Sequence, residues 1–411
     1  MNELIINEIQ KNKNRIDICY DIKGDWKKYF NLNNNFFIEY ERDVEEVPNS
    51  ICIIPFIANI LPIVWINDAT VKIDELDKEF YECIDKVKEG YIKMFPKIEF
   101  LGNIRVKNII DNSYVPSKEV AAFFSGGLDS FSTLIGHISE KPQLITIWGS
   151  DIELDDVEGW KNVTEDVKNV EKEFDVKHNF IKTNFRTFIN EELLTDLVWE
   201  RANDGWWHGF QHGVGIIGQV APLAYIDKIG MLYIAASYTE ENKAPTCASD
   251  PSIDNYVKMA NCNVHHDQYD LTRMDKVKVV INYSKKTNIF PQLRVCWQSK
   301  GGKNCCHCEK CYRTIYEVLS CGVDPNKYGF EFNYKINKEA RRYMMYKYTM
   351  SNIDIPFWND IKKEFQMKKS EYINSAEYKW IDKLNPEKGN YVILKKIRRF
   401  IGKIKNKVVG R

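Results

Sequence analysis

The chain of 411 residues carries no excess charge of either sign: 58 Lys and Arg stand against 58 Asp and Glu. That balance removes any global pull toward nucleic acid or an anionic membrane, so such contacts must come from a local patch. No apolar run is long enough to span a bilayer, and the opening "MNELIINEIQKNKNR" lacks the pattern of a signal peptide. A cytoplasmic location is the expectation from these absences. No internal repeat is present. What remains is the composition of a globular protein, 44% hydrophobic and 28% charged, with length for two or three domains.

The texture changes along the chain. Residues 1–117 mix strand-like runs ("FFIEYERDVE", "SICIIPFIANILPIVWI") with one helical pattern, "KIDELDKEFYECIDKVKEGYIKMF". In that pattern Leu76, Phe80, Cys83, Ile84, Val87 and Tyr91 form one stripe. An N-terminal α+β domain is expected there. From 118, strand and helix candidates alternate: "VAAFF", "DSFSTLIGHI", "QLITIWG", "WKNVTEDVKNVEKEF", "HNFIKTNF", "HGVGIIGQVAPLAYIDKIG" (with Pro222 as a break) and "MLYIAAS". Alternation of this kind predicts an α/β fold, a doubly wound parallel sheet over 118–325. Residues 326–390 read as a helical extension. Residues 391–411 read as a basic amphipathic tail with eight Lys and Arg and no acid. The tail suits an anionic membrane surface or a partner protein.

The stretch "AAFFSGGLDSFSTLIGH" places two glycines, a carboxylate and two hydroxyls between a strand and a helix. Adjacent glycines let backbone N–H groups turn inward as an anion nest, and the helix N-terminus adds positive potential. Ser125 and Ser130 can donate to phosphate oxygens. Asp129 makes sense among phosphates if it holds Mg²⁺. No GxxxxGK[ST] is present, which argues against a Walker-type site. The alternative is an ordinary strand-to-helix turn with Asp129 or Ser130 as its cap.

SGGLDS resembles the pyrophosphate loop of the N-type ATP pyrophosphatase (PP-loop) family, the adenine nucleotide alpha hydrolases. The resemblance implies an enzyme on a doubly wound sheet that cleaves ATP between the α and β phosphates. It implies that Ser125, Gly126, Gly127, Leu128, Asp129 and Ser130 grip the pyrophosphate of ATP and its Mg²⁺, with Asp129 and Ser130 as the catalytic pair.

Of eleven cysteines, Cys296, Cys305, Cys306, Cys308 and Cys311 crowd into 296–311. Cys305, Cys308 and Cys311 form C-x2-C-x2-C, with Cys296 nine residues upstream. Four thiolates so spaced suit tetrahedral Zn²⁺, with an iron–sulfur cluster as the chemical rival. Gly301 and Gly302 let the intervening loop fold back. The pattern resembles the zinc knuckle of the 7-cyano-7-deazaguanine synthase family, except that Cys306 stands where that family has glycine. If the position needs positive φ, Cys306 strains the knuckle; otherwise it is an unused surface thiol, a substitute ligand or a sulfur carrier.

The resemblance covers about 118–325. It implies an adenylating synthase that activates a carboxylate or amide oxygen of a small-molecule acceptor and then installs nitrogen. Sulfur insertion, with Cys306 and Cys247 as thiols to test, is the alternative reaction. A non-catalytic zinc-bearing nucleotide scaffold is the alternative class. Nucleic acid is not an expected partner, and a homodimer is open. Other candidates are His208 and His212 at i, i+4, which could share a metal, and Ser237, Glu240 and Asp250 in a strand-following loop. Arg273 and Lys276 could meet pyrophosphate or an acidic substrate, or could be solvated charges at a helix start.

Overall fold

The computed structural model describes residues 2–32, 34–113, 118–241, 246–296, 298 and 300–387. They fall into two compact units. Unit 1 takes residues up to Ser125 and Gly136–Asp270; unit 2 takes Gly126–Ile135 and the chain from Leu271 onward.

Unit 1 is built on one sheet of eleven strands. They are β1 (Asn2–Asn12), β2 (Arg15–Lys23), β3 (Phe36–Tyr40), β4 (Ala69–Asp77), β5 (Asn103–Ile110), β6 (Val120–Phe123), β7 (Gln143–Trp148), β8 (His178–Thr183), β9 (Met231–Ala235), β10 (Lys258–Met259) and β11 (Cys262–Asp267). The order is β10-β11-β9-β6-β7-β8-β3-β2-β1-β4-β5. β6, β7 and β8 step in parallel to one side, and β9 then returns to pair with the other flank of β6. The order therefore reverses beside β6, whose carboxyl end runs into Ser125. In open α/β sheets that reversal is where ligands bind.

The sheet is mostly parallel, but not throughout. β1, β2 and β3 pair antiparallel, and β3 joins β8 antiparallel through Ile38↔Thr183 and Tyr40↔Ile181. The boundary expected at 117/118 therefore lies within a single sheet: the strands before it extend the strands after it. β1 and β2 form a two-residue hairpin around Lys13, which takes φ 52°.

Two element expectations need correction. "SICIIPFIANILPIVWI" is helical, Asn49–Cys52 and then Ile54–Ile66, not strand. Ten of the thirteen residues from Ile54 to Ile66 are hydrophobic and the other three are Pro55, Asn59 and Pro62; every one from Ile54 to Trp65 is buried. A helix buried on all sides loses the periodicity that separates helix from strand. Leu76 belongs to β4, because Asp77 ends the strand and caps the next helix, accepting from Phe80 N at 3.1 Å. That helix, Lys78–Met94, buries Phe80, Cys83, Ile84, Val87 and Tyr91 as its stripe predicts. Pro222 marks a break as expected, between Gly218 and Ala221.

Unit 1 holds two partly buried imidazoles that desolvation keeps neutral: His178 is pushed down to about 3 and His212 to about 4. The unfolded chain protonates both near the ordinary histidine value of about 6.5, while the folded chain does not. Between about pH 6.5 and 4 the unfolded state thus binds more protons, and stability falls as pH falls. The expected slope is about 1.4 kcal/mol per pH unit for each histidine. Urea melts of the wild type and of His178→Gln at pH 7 and pH 5 check this; the variant should lose part of the acid dependence.

Unit 2 is helical: Leu128–Gly136 up to Ile135, Arg273–Thr287, Glu309–Ser320, Tyr334–Tyr346, Asp354–Met367 and Ala376–Ile381. Its buried aromatic centre joins Tyr316, Trp358 and Trp380. Asn337 Oδ1 accepts from Tyr316 OH at 2.6 Å and from Trp380 Nε1 at 3.1 Å. The expected extension 326–390 thus packs, over its described residues, onto the helix that precedes it. The expected tail at 391–411 lies outside the described residues. Among the described residues no helix is long and apolar enough to cross a membrane.

Candidate metal centre and anion-binding loop

Four thiols meet in unit 2. The Sγ atoms of Cys296, Cys305, Cys308 and Cys311 all lie within 4.8 Å of one another. Cys296 and Cys308 are 3.9 Å apart, as are Cys305 and Cys311. These separations are far beyond a disulfide bond. Sulfurs about 2.3 Å from a tetrahedral zinc would stand about 3.8 Å apart. The donor set and spacing therefore fit a four-thiolate metal such as zinc. The expected quartet is assembled, and it is the one such group among the described residues.

Local structure explains the assembly. Cys308 caps the Glu309–Ser320 helix, its sulfur accepting from Cys311 N at 3.4 Å, and Cys305 Sγ accepts from His307 N at 3.4 Å. The hydrogen bond from the Cys311 thiol and its N–H pull Cys308 down to about 5. Asn304 ties in the fourth ligand. Its Oδ1 accepts from Val295 N and Cys296 N at 3.0 and 3.2 Å, and its amide donates to Leu293 O and Gly329 O at 2.7 and 2.8 Å.

Cys306 sits at φ 55°, the left-handed region that glycine occupies more cheaply, so the knuckle carries the strain anticipated for it. It is buried rather than at the surface, and Glu331 N donates to its sulfur at 3.3 Å. Burial pushes its thiol up. His307 is exposed and faces Glu339 at 3.1 Å, outside the sulfur quartet.

The second centre is the start of the Leu128–Gly136 helix. Gly126 takes φ 73°, and its carbonyl accepts from Arg294 N at 2.7 Å, which fixes the turn. Leu128 is buried; Ser130 Oγ donates to Gly127 O at 3.0 Å; Ser125 is exposed at the edge of unit 1. Asp129 occupies the first helical turn. Arg273 Nη1 lies 3.5 Å and Lys276 Nζ 3.7 Å from its carboxylate.

Arg273 and Lys276 are thus not solvated. They are buried in the first turn of the Arg273–Thr287 helix, which a capping box between Thr272 and Asp275 sets. Thr314 Oγ1 accepts from Arg273 Nη2 at 2.9 Å, and Glu317 accepts from Arg273 Nε at 3.1 Å. Burial opposes the charge on Asp129, but Lys276, Arg273, Lys310 and Arg313 outweigh it and hold the carboxyl below its usual range. Burial raises Glu317 despite the neighbouring Arg273 and Arg313.

One helix serves both centres. Cys308 and Cys311 stand at its start, Thr314 and Glu317 hold the Arg273 that faces Asp129, and Lys310 and Arg313 add positive charge that lowers the Asp129 carboxyl. Sequence reasoning missed these four and Asn304. The i, i+3, i+4, i+7 spacing of Lys310, Arg313, Thr314 and Glu317 after the last cysteines was the available signal.

The remaining candidates lie in unit 1. Among the described residues His208 and His212 belong to no group of three or more possible metal ligands: His208 Nδ1 is 2.8 Å from Asp204, and the partly buried His212 is pushed down to about 4 by burial. Asp250 caps Pro251–Asp254, accepting from Ser252 N at 2.9 Å. Glu240 N donates to Tyr269 O at 3.2 Å, and Ser237 is exposed.

Compared with protein-family models, curated proteins and solved structures, the chain finds no match.

Proposed function

We propose that the chain is an ATP-dependent adenylating enzyme of the PP-loop, HUP-like kind, with unit 2 supplying the phosphate loop. The observation that carries the reading is Asp129. It stands in the first turn of a helix, behind a Gly126 at φ 73°, with Arg273 and Lys276 at its carboxylate. A helix start with convergent cations takes an anion of high charge. The SGGLDS resemblance names that anion as the pyrophosphate of ATP.

In this reading Ser130 and the loop N–H groups position the β and γ phosphates. Arg273 and Lys276 stabilise charge as it gathers on the leaving pyrophosphate. The acceptor oxygen attacks the α-phosphorus, the bond to pyrophosphate breaks, and the acceptor is left as an acyl or imidoyl adenylate. Nitrogen then displaces AMP. Asp129 offers the hard oxygen that Mg²⁺ takes alongside phosphate oxygens, and Mg²⁺ there would neutralise phosphate charge. Zinc at the four cysteines would hold the Glu309–Ser320 helix, with no part in bond making. Cys306 lends sulfur transfer no support, since its thiol is buried and pushed up.

ATP–pyrophosphate exchange on the zinc-loaded protein, against a panel of carboxylates that includes 7-carboxy-7-deazaguanine, tests the proposal. Exchange that depends on one acceptor is expected. Exchange absent with every carboxylate and amide would remove the adenylation step.

A further inference from the structure

Three helices of unit 2 line a cavity of about 330 Å³ whose walls carry both signs of charge. Glu309, Lys310 and Arg313 come from Glu309–Ser320. Tyr343 comes from the last turns of Tyr334–Tyr346, with Tyr348 just beyond it, and Asp354 from the first turn of Asp354–Met367. Besides the Cys308 thiol, two carboxylates and two cations line the space, so their charges cancel.

Arg313 is the group the fold leaves incomplete. Its side chain is only 9% exposed, yet its Nε is buried without a hydrogen-bond partner. Its one ion pair among the described residues is long, Nη2 to Glu309 at 3.5 Å, and Glu309 already accepts from Trp358 Nε1 at 2.9 Å. The Phe357 ring, 4.2 Å from the guanidinium carbon, covers one face and fixes the plane. A guanidinium has five N–H donors, and a buried charge needs partners for them. Arg313 lines the cavity, so an acceptor held there can take its Nη donors.

Asp354 supplies the opposite sign. Its Oδ2 accepts from Tyr348 OH at 2.8 Å, Ser351 N at 2.9 Å and Ser351 Oγ at 2.7 Å, which fixes the carboxylate. All three bonds fall on Oδ2, so Oδ1 remains as an acceptor. The Tyr343 and Tyr348 rings stack beside it at 5.4 Å. Aromatic faces attract an ammonium group.

This lining selects among ligands. Glu309 and Asp354 repel a phosphate, and an alkyl chain would desolvate four charges without pairing them. A molecule with one carboxylate and one ammonium satisfies both sides. We propose that the cavity binds a free α-amino acid, with its carboxylate on Arg313 and its ammonium between Asp354 and the Tyr343–Tyr348 pair. A planar guanidinium takes a carboxylate through two donors, which Lys310 as a point charge does not. The volume lies at the small end of ligand pockets, which suits one amino acid rather than a nucleotide. The site is argued without ATP, so it goes beyond the adenylation reading and does not depend on it.

Equilibrium dialysis of the full zinc-loaded chain against each standard L-amino acid, radiolabelled, at up to about 1 mM and without ATP, tests the proposal. Saturable binding of one molecule per chain is expected for at least one amino acid. Arg313→Gln and Asp354→Asn should each weaken it at least about tenfold, with circular dichroism and zinc content unchanged. A comparison on the unaltered protein covers a variant that misfolds: the α-amide and the N-acetyl derivative of the bound amino acid should each compete at least about tenfold more weakly than the parent. No binding of any amino acid would overturn the proposal. An α-amide as tight as its parent, or full affinity in a folded Arg313→Gln protein, would overturn it too.

Discussion

Removing one of the four thiols that could hold a metal such as zinc, as in Cys311→Ser, is expected to unfold unit 2 rather than merely loosen it. Structural zinc in small modules contributes about 10–16 kcal/mol of apparent binding free energy. Domain stability is itself only about 5–15 kcal/mol. The four-thiol group also includes the start of Glu309–Ser320, where Cys308 is the cap. That helix supplies Tyr316 to the buried aromatic centre, and Glu309 accepts from Trp358 Nε1 at 2.9 Å. Loss of the metal should therefore appear as tryptophan exposure together with zinc release. Cys306→Ser serves as control and should keep one zinc per chain, because its sulfur lies outside the quartet. A Cys311→Ser protein with unchanged fluorescence and melting would contradict the structural role.

Asp129→Asn should reduce pyrophosphate formation by about 10³-fold, roughly 4 kcal/mol of transition-state stabilisation, while zinc content stays at the wild-type value. The amide keeps the shape of the side chain but loses the charge that faces Arg273 and Lys276 and that would hold Mg²⁺. Arg273 keeps Glu317 as a partner at 3.1 Å, so the cation cluster retains an internal counter-charge. Its fold should survive. Asp129 is about a quarter exposed, which screens part of any stability cost. Turnover measured beside circular dichroism and zinc content separates the two effects. Full biological activity in this variant would favour a nucleotide-binding scaffold over an enzyme.

Parts of this arrangement were legible because local chemistry dictates them. The cysteine spacing carried the metal group, since two C-x2-C steps leave thiols on one side of a turn. The S-G-G-x-D-S run carried the turn and the helix start. The alternation after residue 118 carried β6 to β9. Elsewhere tertiary context decided. The Ile54–Ile66 helix is apolar all round, so its period was hidden. β3 meets β8 across about 140 residues of sequence, and no local pattern announces that pairing. Arg273 and Lys276 read as charges at a helix start until Glu317, Thr314 and Asp129 surrounded them. Asn304 is one polar residue in a loop, and only the four hydrogen bonds it makes reveal what it joins.

The central claim is that the loop at Asp129 holds ATP for cleavage between its α and β phosphates. Phosphorus NMR of the products from ATP, Mg²⁺, acceptor and zinc-loaded protein tests it most directly. The account predicts AMP and pyrophosphate in equal amounts. ADP and inorganic phosphate would contradict it, because they would place the cleavage at the γ-phosphate.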